Sequence, residues 1–172
     1  MNTLYFVKFS LCFVCYLLRS VYQILEYKKS RIAEHKSMPT IIGVVMFFQW
    51  FFWFSMNFSD PVRTTLPTWL RYIGLALFVA GTILVIIAHR HIKGYAIEVS
   101  LITTGIYSRI RHPMYVGFML WLIGFPLFMQ SIVTLASAFI WIACFIYWQI
   151  LEEKNLEVKF GDYEEYKKKT WF

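Results

Sequence analysis

Long apolar runs alternate along this chain with short polar segments that are mostly basic. From about Leu4 to Ile24 the residues are apolar apart from Lys8 and Arg19. Each of these lies near an end of the run, where a long side chain can snorkel to the headgroup region. Thr40 to Phe58 carries no charge and is crowded with Phe and Trp, long enough to cross about 30 Å of hydrocarbon. A third run extends from about Trp69 to Ala88, with Arg71 at its outer end. Met114 to Leu151 is then a single uncharged run, about 57 Å long if built as one helix. One crossing cannot use that length. The chain is therefore expected to reverse near Pro126 to Ser131, where a proline and the polar pair Gln130 and Ser131 interrupt the run. The pattern predicts an all-α polytopic membrane protein of about five transmembrane helices. The last two form a helical hairpin, and a short cytoplasmic C-terminal helix follows around Phe160 to Tyr166.

Composition supports this reading. Of 172 residues, 59% are hydrophobic and 16% charged, against the quarter or so charged in a soluble domain. No linker-like stretch or internal repeat divides the chain, so residues 1–172 read as one domain. Cys12, Cys15 and Cys144 lie inside apolar runs and imply neither a disulfide framework nor a zinc site. Cys12 and Cys15 form a CxxC, read as a buried pair on a membrane helix.

The basic residues give an orientation. Lys28, Lys29, Arg31 and Lys36 follow the first run, Arg90, Lys93, Arg109 and Arg111 follow the third, and Lys154, Lys159 and Lys167 to Lys169 follow the last. Five spans place all three groups on one side. The opposite loop, Asn57 to Thr68, holds Arg63 against Asp60. The positive-inside rule then puts the basic side in the cytoplasm and the N-terminus outside. The formal charge of +7 is explained by anionic membrane lipids, and no nucleic-acid partner is implied. The alternative reading of the first run as a signal peptide is disfavoured by its length and internal charge.

Titratable groups collect on the basic side. The run Thr104-Gly105-Ile106-Tyr107-Ser108-Arg109-Ile110-Arg111-His112-Pro113-Met114-Tyr115 opens the hairpin, and Glu152-Glu153 leaves its far end. A hairpin returns its second end to where its first began. Arg111, His112, Tyr115 and the two glutamates can therefore surround one pocket. Pro113 favours an extended conformation at His112 and fits the first turn of the next helix, whose unpaired N–H groups would face that pocket.

Arg-His-Pro-x-Tyr followed at a distance by Glu-Glu resembles the signature shared by isoprenylcysteine carboxyl methyltransferases and phospholipid methyltransferases. The likeness runs from Thr104-Gly105-Ile106-Tyr107 through Phe160-Gly161-Asp162-Tyr163. It implies a methyltransferase that uses S-adenosylmethionine, bound at the cytoplasmic end of the hairpin by roughly residues 89–172. Carried onto this chain, the cofactor contacts are Leu101, Ile102 and Tyr107 ahead of the hairpin, His112, Pro113, Met114 and Tyr115 at its start, and Glu152 at its end. Arg111 and Glu153 are the expected catalytic residues. Two positions depart from the pattern: Val99 stands where the family often has a histidine, and Trp148 where prenylcysteine enzymes have an arginine that helps hold the substrate.

The chemistry of that cofactor suits these residues. Its sulfonium, zwitterion, ribose diol and adenine need carboxylates, a cation and aromatic faces, which Glu152, Arg111 and Tyr107 provide. In-line methyl transfer needs mainly alignment. A carboxylate nucleophile needs no base, whereas an amine must lose a proton, for which His112 or Glu153 would serve. The expected acceptor is a lipophilic small molecule or lipidated substrate. Phospholipid N-methylation is the nearest alternative; a sterol-reductase-like enzyme and a non-catalytic membrane adaptor are alternatives of other classes. His89 and His91 point to different faces of a helix, so no metal site is expected. The Phe and Trp residues of the second run read as lipid-facing or packing residues rather than a cofactor box.

Overall fold

The computed structural model describes residues 3–93 and 101–172. Among these, six helices account for nearly all the regular structure: α1 (Thr3–Tyr27), α2 (Met38–Phe58), α3 (Thr68–Lys93), α4 (Pro113–Met129), α5 (Ile132–Lys159) and α6 (Tyr163–Lys169). Four of them, α1, α2, α3 and α5, are long and apolar enough to span a membrane; α4 is apolar but shorter, at 17 residues. The protein is thus a multi-pass, all-α membrane protein. The expected departure at Val99 lies outside the described residues.

The reversal within the long apolar run is tighter than expected. Pro126 sits inside the last turn of α4 rather than in the connection, which consists of Gln130 and Ser131. Gln130 adopts the left-handed conformation at φ 60°. The Ser131 N–H bonds Pro126 O and the Gln130 N–H bonds Leu127 O, the paired bonds of a Schellman motif. The loop after α2 locks onto this turn. Buried Asp60 accepts from the N–H and Oγ1 of Thr134 at 2.7 Å each and so satisfies the start of α5. Arg63, the other charge of this loop, donates to Asn57 O at 2.8 Å.

Helices α3 and α4 approach most closely. A Cβ on Gly81 would meet Gly117 O at 2.6 Å, and one on Gly124 would meet Gly74 O at 2.6 Å. Contact of backbone with backbone through small residues is a usual means of helix association in lipid, where apolar burial drives little. Trp121 adds a hydrogen bond to Thr82 Oγ1 at 3.0 Å.

Aromatic side chains hold α1, α2, α4 and α5 together. Trp141 stacks on Tyr16 at 4.3 Å between ring centres, and Trp50 meets Phe118 at 5.0 Å. The second run serves both roles expected of it, with Trp53 and Met56 fully buried while Phe47 and Phe51 face outward. Cys12 and Cys15 are buried free thiols. The two cations of α1 do not extend outward as expected. Lys8 Nζ bonds Ser55 O at 2.9 Å and Ser59 Oγ at 2.6 Å, a cation at the end of α2 where the helix dipole favours one. Arg19 also turns into the protein, as described below.

Helix α5 continues two turns past the apolar run. Glu152 and Glu153 therefore lie within the helix, which ends at Lys159, rather than at its exit. Residues Phe160 to Asp162 make a turn, and the short helix begins at Tyr163.

Candidate functional site

Proline at the first position of α4 has no N–H to lose and disfavours helical backbone at its predecessor. His112 accordingly stands outside the helix at φ −121°, ψ 60°. Its imidazole lies nearly parallel to the Tyr115 ring, 5.5 Å between centres. From there Tyr115 Oη donates to Glu152 Oε2 at 3.0 Å. The two ends of the hairpin are joined by this bond, as their sequence positions suggested.

Consecutive residues on a helix point about 100° apart, and the two glutamates separate accordingly. Glu152 faces a cavity. Glu153 is buried behind the wall, where Arg111 Nε donates to its Oε1 at 2.9 Å and Gln149 Nε2 at 3.2 Å. His112 Nε2 and Lys167 Nζ each lie 3.3 Å from the same carboxylate. Arg111 does more than pair: its Nη1 donates to Thr170 O at 2.8 Å and Lys167 O at 3.2 Å, fastening the end of α6. The backbone alongside is also tied down, with the N–H groups of Arg111 and His112 bonding Phe172 O.

The cavity, partly open and about 230 Å³ in volume, lies between the end of α3, the segment from Leu101 to His112, and the facing parts of α4, α5 and α6. All eight residues expected to contact a cofactor line it: Leu101, Ile102 and Tyr107 on one side, His112 to Tyr115 on another, and Glu152 opposite. Arg111 lines it as well. Glu153 does not. Sequence reasoning left out Leu156, Phe160, Tyr163 and Tyr166, which also face the cavity. Spacing carried part of the signal: Leu156 follows Glu152 by four on α5, and Tyr163 and Tyr166 are three apart on α6, each pair on one helical face, whereas Phe160 lies in the turn after α5.

Gly105 begins the single 3-10 turn described, Gly105–Ser108. It is left-handed at φ 59°, and a Cβ there would collide with the His91 ring, so both conformation and space require glycine. The turn places Tyr107 on the cavity, and Tyr166 Oη fixes it by donating to Tyr107 O at 2.6 Å. Burial pushes the Tyr107 phenol well up, with the Glu152 charge adding to it. Burial likewise raises Tyr163, and lifts Tyr166 to about 12 against the opposing charge of Arg111. These phenols are neutral donors at physiological pH. A polar atom at the cavity wall, Tyr163 Oη, is buried without a hydrogen-bond partner. Unmet polar atoms beside a cavity are what a polar ligand satisfies. No group of three or more metal-ligating side chains occurs among the described residues.

The sequence model of a family described as phospholipid methyltransferase matches residues 69–163, a range holding α3, the cavity segment, α4, α5 and the start of α6. Over 73 residues the chain is 42% identical to the protein-S-isoprenylcysteine O-methyltransferase of Schizosaccharomyces pombe. That stretch is 41% of this chain and 30% of the relative, so the chain spans less than a third of the length of the curated protein it matches. No solved structure matches it. With more than half of its residues fitting the family and the matched segment building the cavity, the chain belongs to the phospholipid methyltransferase family.

Proposed function

We propose that the protein transfers a methyl group from S-adenosylmethionine to a lipophilic acceptor that reaches the cavity from the bilayer. The observation that carries this reading is the cavity that brings together the Tyr115–Glu152 bond, the His112 ring and the unpartnered Tyr163 Oη. The residues present fit the cofactor. Glu152 offers a carboxylate to an ammonium or a ribose diol, and Tyr107, Tyr163 and Tyr166 offer aromatic faces and neutral hydroxyls. When bound, the cofactor supplies an electrophilic methyl group on a sulfonium.

The chain's own contribution is orientation. Tyr115 holds Glu152 in place. Arg111 and Glu153, locked to each other and to α6, keep the floor of the cavity and its C-terminal cover in register. We assign Glu153 a positioning role in place of the catalytic one expected from sequence, because its oxygens are engaged by Arg111, Gln149 and Lys167. Arg111 shares that positioning role from the cavity wall. A carboxylate acceptor needs no base, and an amine acceptor would lose its proton to His112, the histidine that borders the cavity.

The first reading of the acceptor is the carboxylate of a prenylated cysteine, supported by the name of the relative. N-methylation of a phospholipid is the second, supported by the family's description. The test is incubation of the purified protein in detergent with methyl-labelled S-adenosylmethionine, and then with a farnesylated cysteine or phosphatidylethanolamine. Saturable cofactor binding and label in one of the two lipids is expected. Binding of a reduced nicotinamide dinucleotide instead would favour a reductase, and binding of neither would favour an adaptor.

A further inference from the structure

The buried face of α1 is a stripe at steps of three and four: Tyr5, Phe9, Cys12 and Tyr16 pack against the bundle. The same stripe continues as Arg19, Gln23 and Glu26. Arg19 and Gln23 thus occupy the protein-facing side of a membrane helix, with Glu26 exposed at its end, and an ionisable group in such a place is costly and marks function by default.

Arg19 is held for a purpose other than reaching headgroups. Its guanidinium lies over Trp148 at 5.1 Å and over Tyr22 at 5.4 Å. One terminal nitrogen donates to Gln23 Oε1 at 2.5 Å. The Nε is buried without a partner, and no carboxylate among the described residues comes within ion-pairing distance. Trp148 is fixed beneath it by its own bond to Ser20 Oγ at 2.8 Å. Gln23, 2% exposed, also donates to Glu26 Oε2 at 3.2 Å. Trp148 precedes Glu152 by one helical turn on α5, so Arg19, over the Trp148 ring, lies about one turn from the carboxylate that faces the cavity. Its charge and that of Glu26 act on Tyr115, the residue bonded to Glu152.

We propose that Arg19 is the anion subsite of the acceptor: it binds the carboxylate or phosphate of a membrane-borne lipid and aligns the lipid's nucleophile with the cavity. The proposal rests on the methyltransferase reading. A half-buried guanidinium spread over an indole, with an unmet N–H, supplies planar donors to an oxyanion at little reorganisation.

The test is binding of three probes to the purified protein in detergent, before and after Arg19→Gln: N-acetyl-S-farnesylcysteine, its neutral carboxamide, and phosphatidylethanolamine. Affinity for an anionic probe should fall about tenfold to a hundredfold, the size of a lost charge-assisted hydrogen bond. The carboxamide and S-adenosylmethionine should bind as before. Loss for the farnesylcysteine identifies a carboxylate, and loss for the phospholipid a phosphate. Gln23→Glu, which keeps Arg19 and the fold but places a competing anion beside it, should weaken the same probe. Unchanged affinity for both anionic probes in both variants overturns the proposal while leaving cofactor binding intact. If the unaltered protein binds no S-adenosylmethionine, it is the methyltransferase reading that fails.

Discussion

Glu152 and Glu153 are neighbours in sequence and perform opposite tasks. Glu152 reaches an open cavity with Tyr115 as its hydrogen-bond donor, whereas Glu153 is 8% exposed and surrounded by Arg111, Gln149 and Lys167. Glu152→Gln should weaken S-adenosylmethionine by about tenfold to a hundredfold, or roughly 1.5 to 3 kcal/mol, with the thermal midpoint in detergent unmoved. His112→Ala should weaken it too, and the double variant should fall short of the sum because both residues border one ligand. Glu153→Gln should instead lower the thermal midpoint, since removing one partner of a buried pair costs about 3 kcal/mol. Equal loss of cofactor affinity and of stability in the two glutamine variants would contradict this division. The sequence motif made both carboxylates legible as a pair. It could not say which one faces the cavity, because that depends on how α5 is rotated, and the rotation is set by Trp141, Phe145 and Trp148 packing against α1.

At the scale of the helices, α3 and α4 meet through glycines seven residues apart on each, Gly74 and Gly81 facing Gly124 and Gly117. Reading apolar runs for length finds both helices and passes over this register, although the spacing of seven is written in the chain. Gly81→Ala should loosen the pair by about 1 to 3 kcal/mol, as overpacking does, because the added carbon meets a carbonyl that cannot step aside. Gly43, with nothing within 4 Å of a Cβ, provides the control: Gly43→Ala should be neutral or stabilising. Thermal unfolding in one detergent compares the two. Similar midpoints for both variants would remove the close approach as the feature that seats α4. The hairpin was legible from the length of the uncharged run, and its turn from the polar pair Gln130 and Ser131 at the end of the expected stretch. What was not legible is that Pro126 stays inside α4 and that Gln130, a non-glycine residue, takes left-handed backbone.

For the molecule as a whole, the five apolar helices run alternately, so the segment after α1, the segment between α3 and α4, and α6 share one end. All three are basic. The opposite end is the Asp60 loop, stitched to the start of α5 by Thr134. By the positive-inside rule we propose that the basic end faces the cytoplasm, and the candidate cavity with it. Lys36→Cys and Lys168→Cys should both escape a membrane-impermeant maleimide added to intact cells, while Thr65→Cys should react. The native thiols leave this readout clean, because Cys12 and Cys15 are buried and Cys144 lies within the span of α5. All three probe positions are exposed in the folded protein, so a failure to label reports the membrane rather than burial. Labelling of Lys36→Cys and Lys168→Cys with protection of Thr65→Cys would invert the protein and place the cavity outside. Labelling on opposite sides for Lys36→Cys and Lys168→Cys would mean an odd number of crossings between them, with α5 crossing and the short α4 not, and would overturn the five-span arrangement.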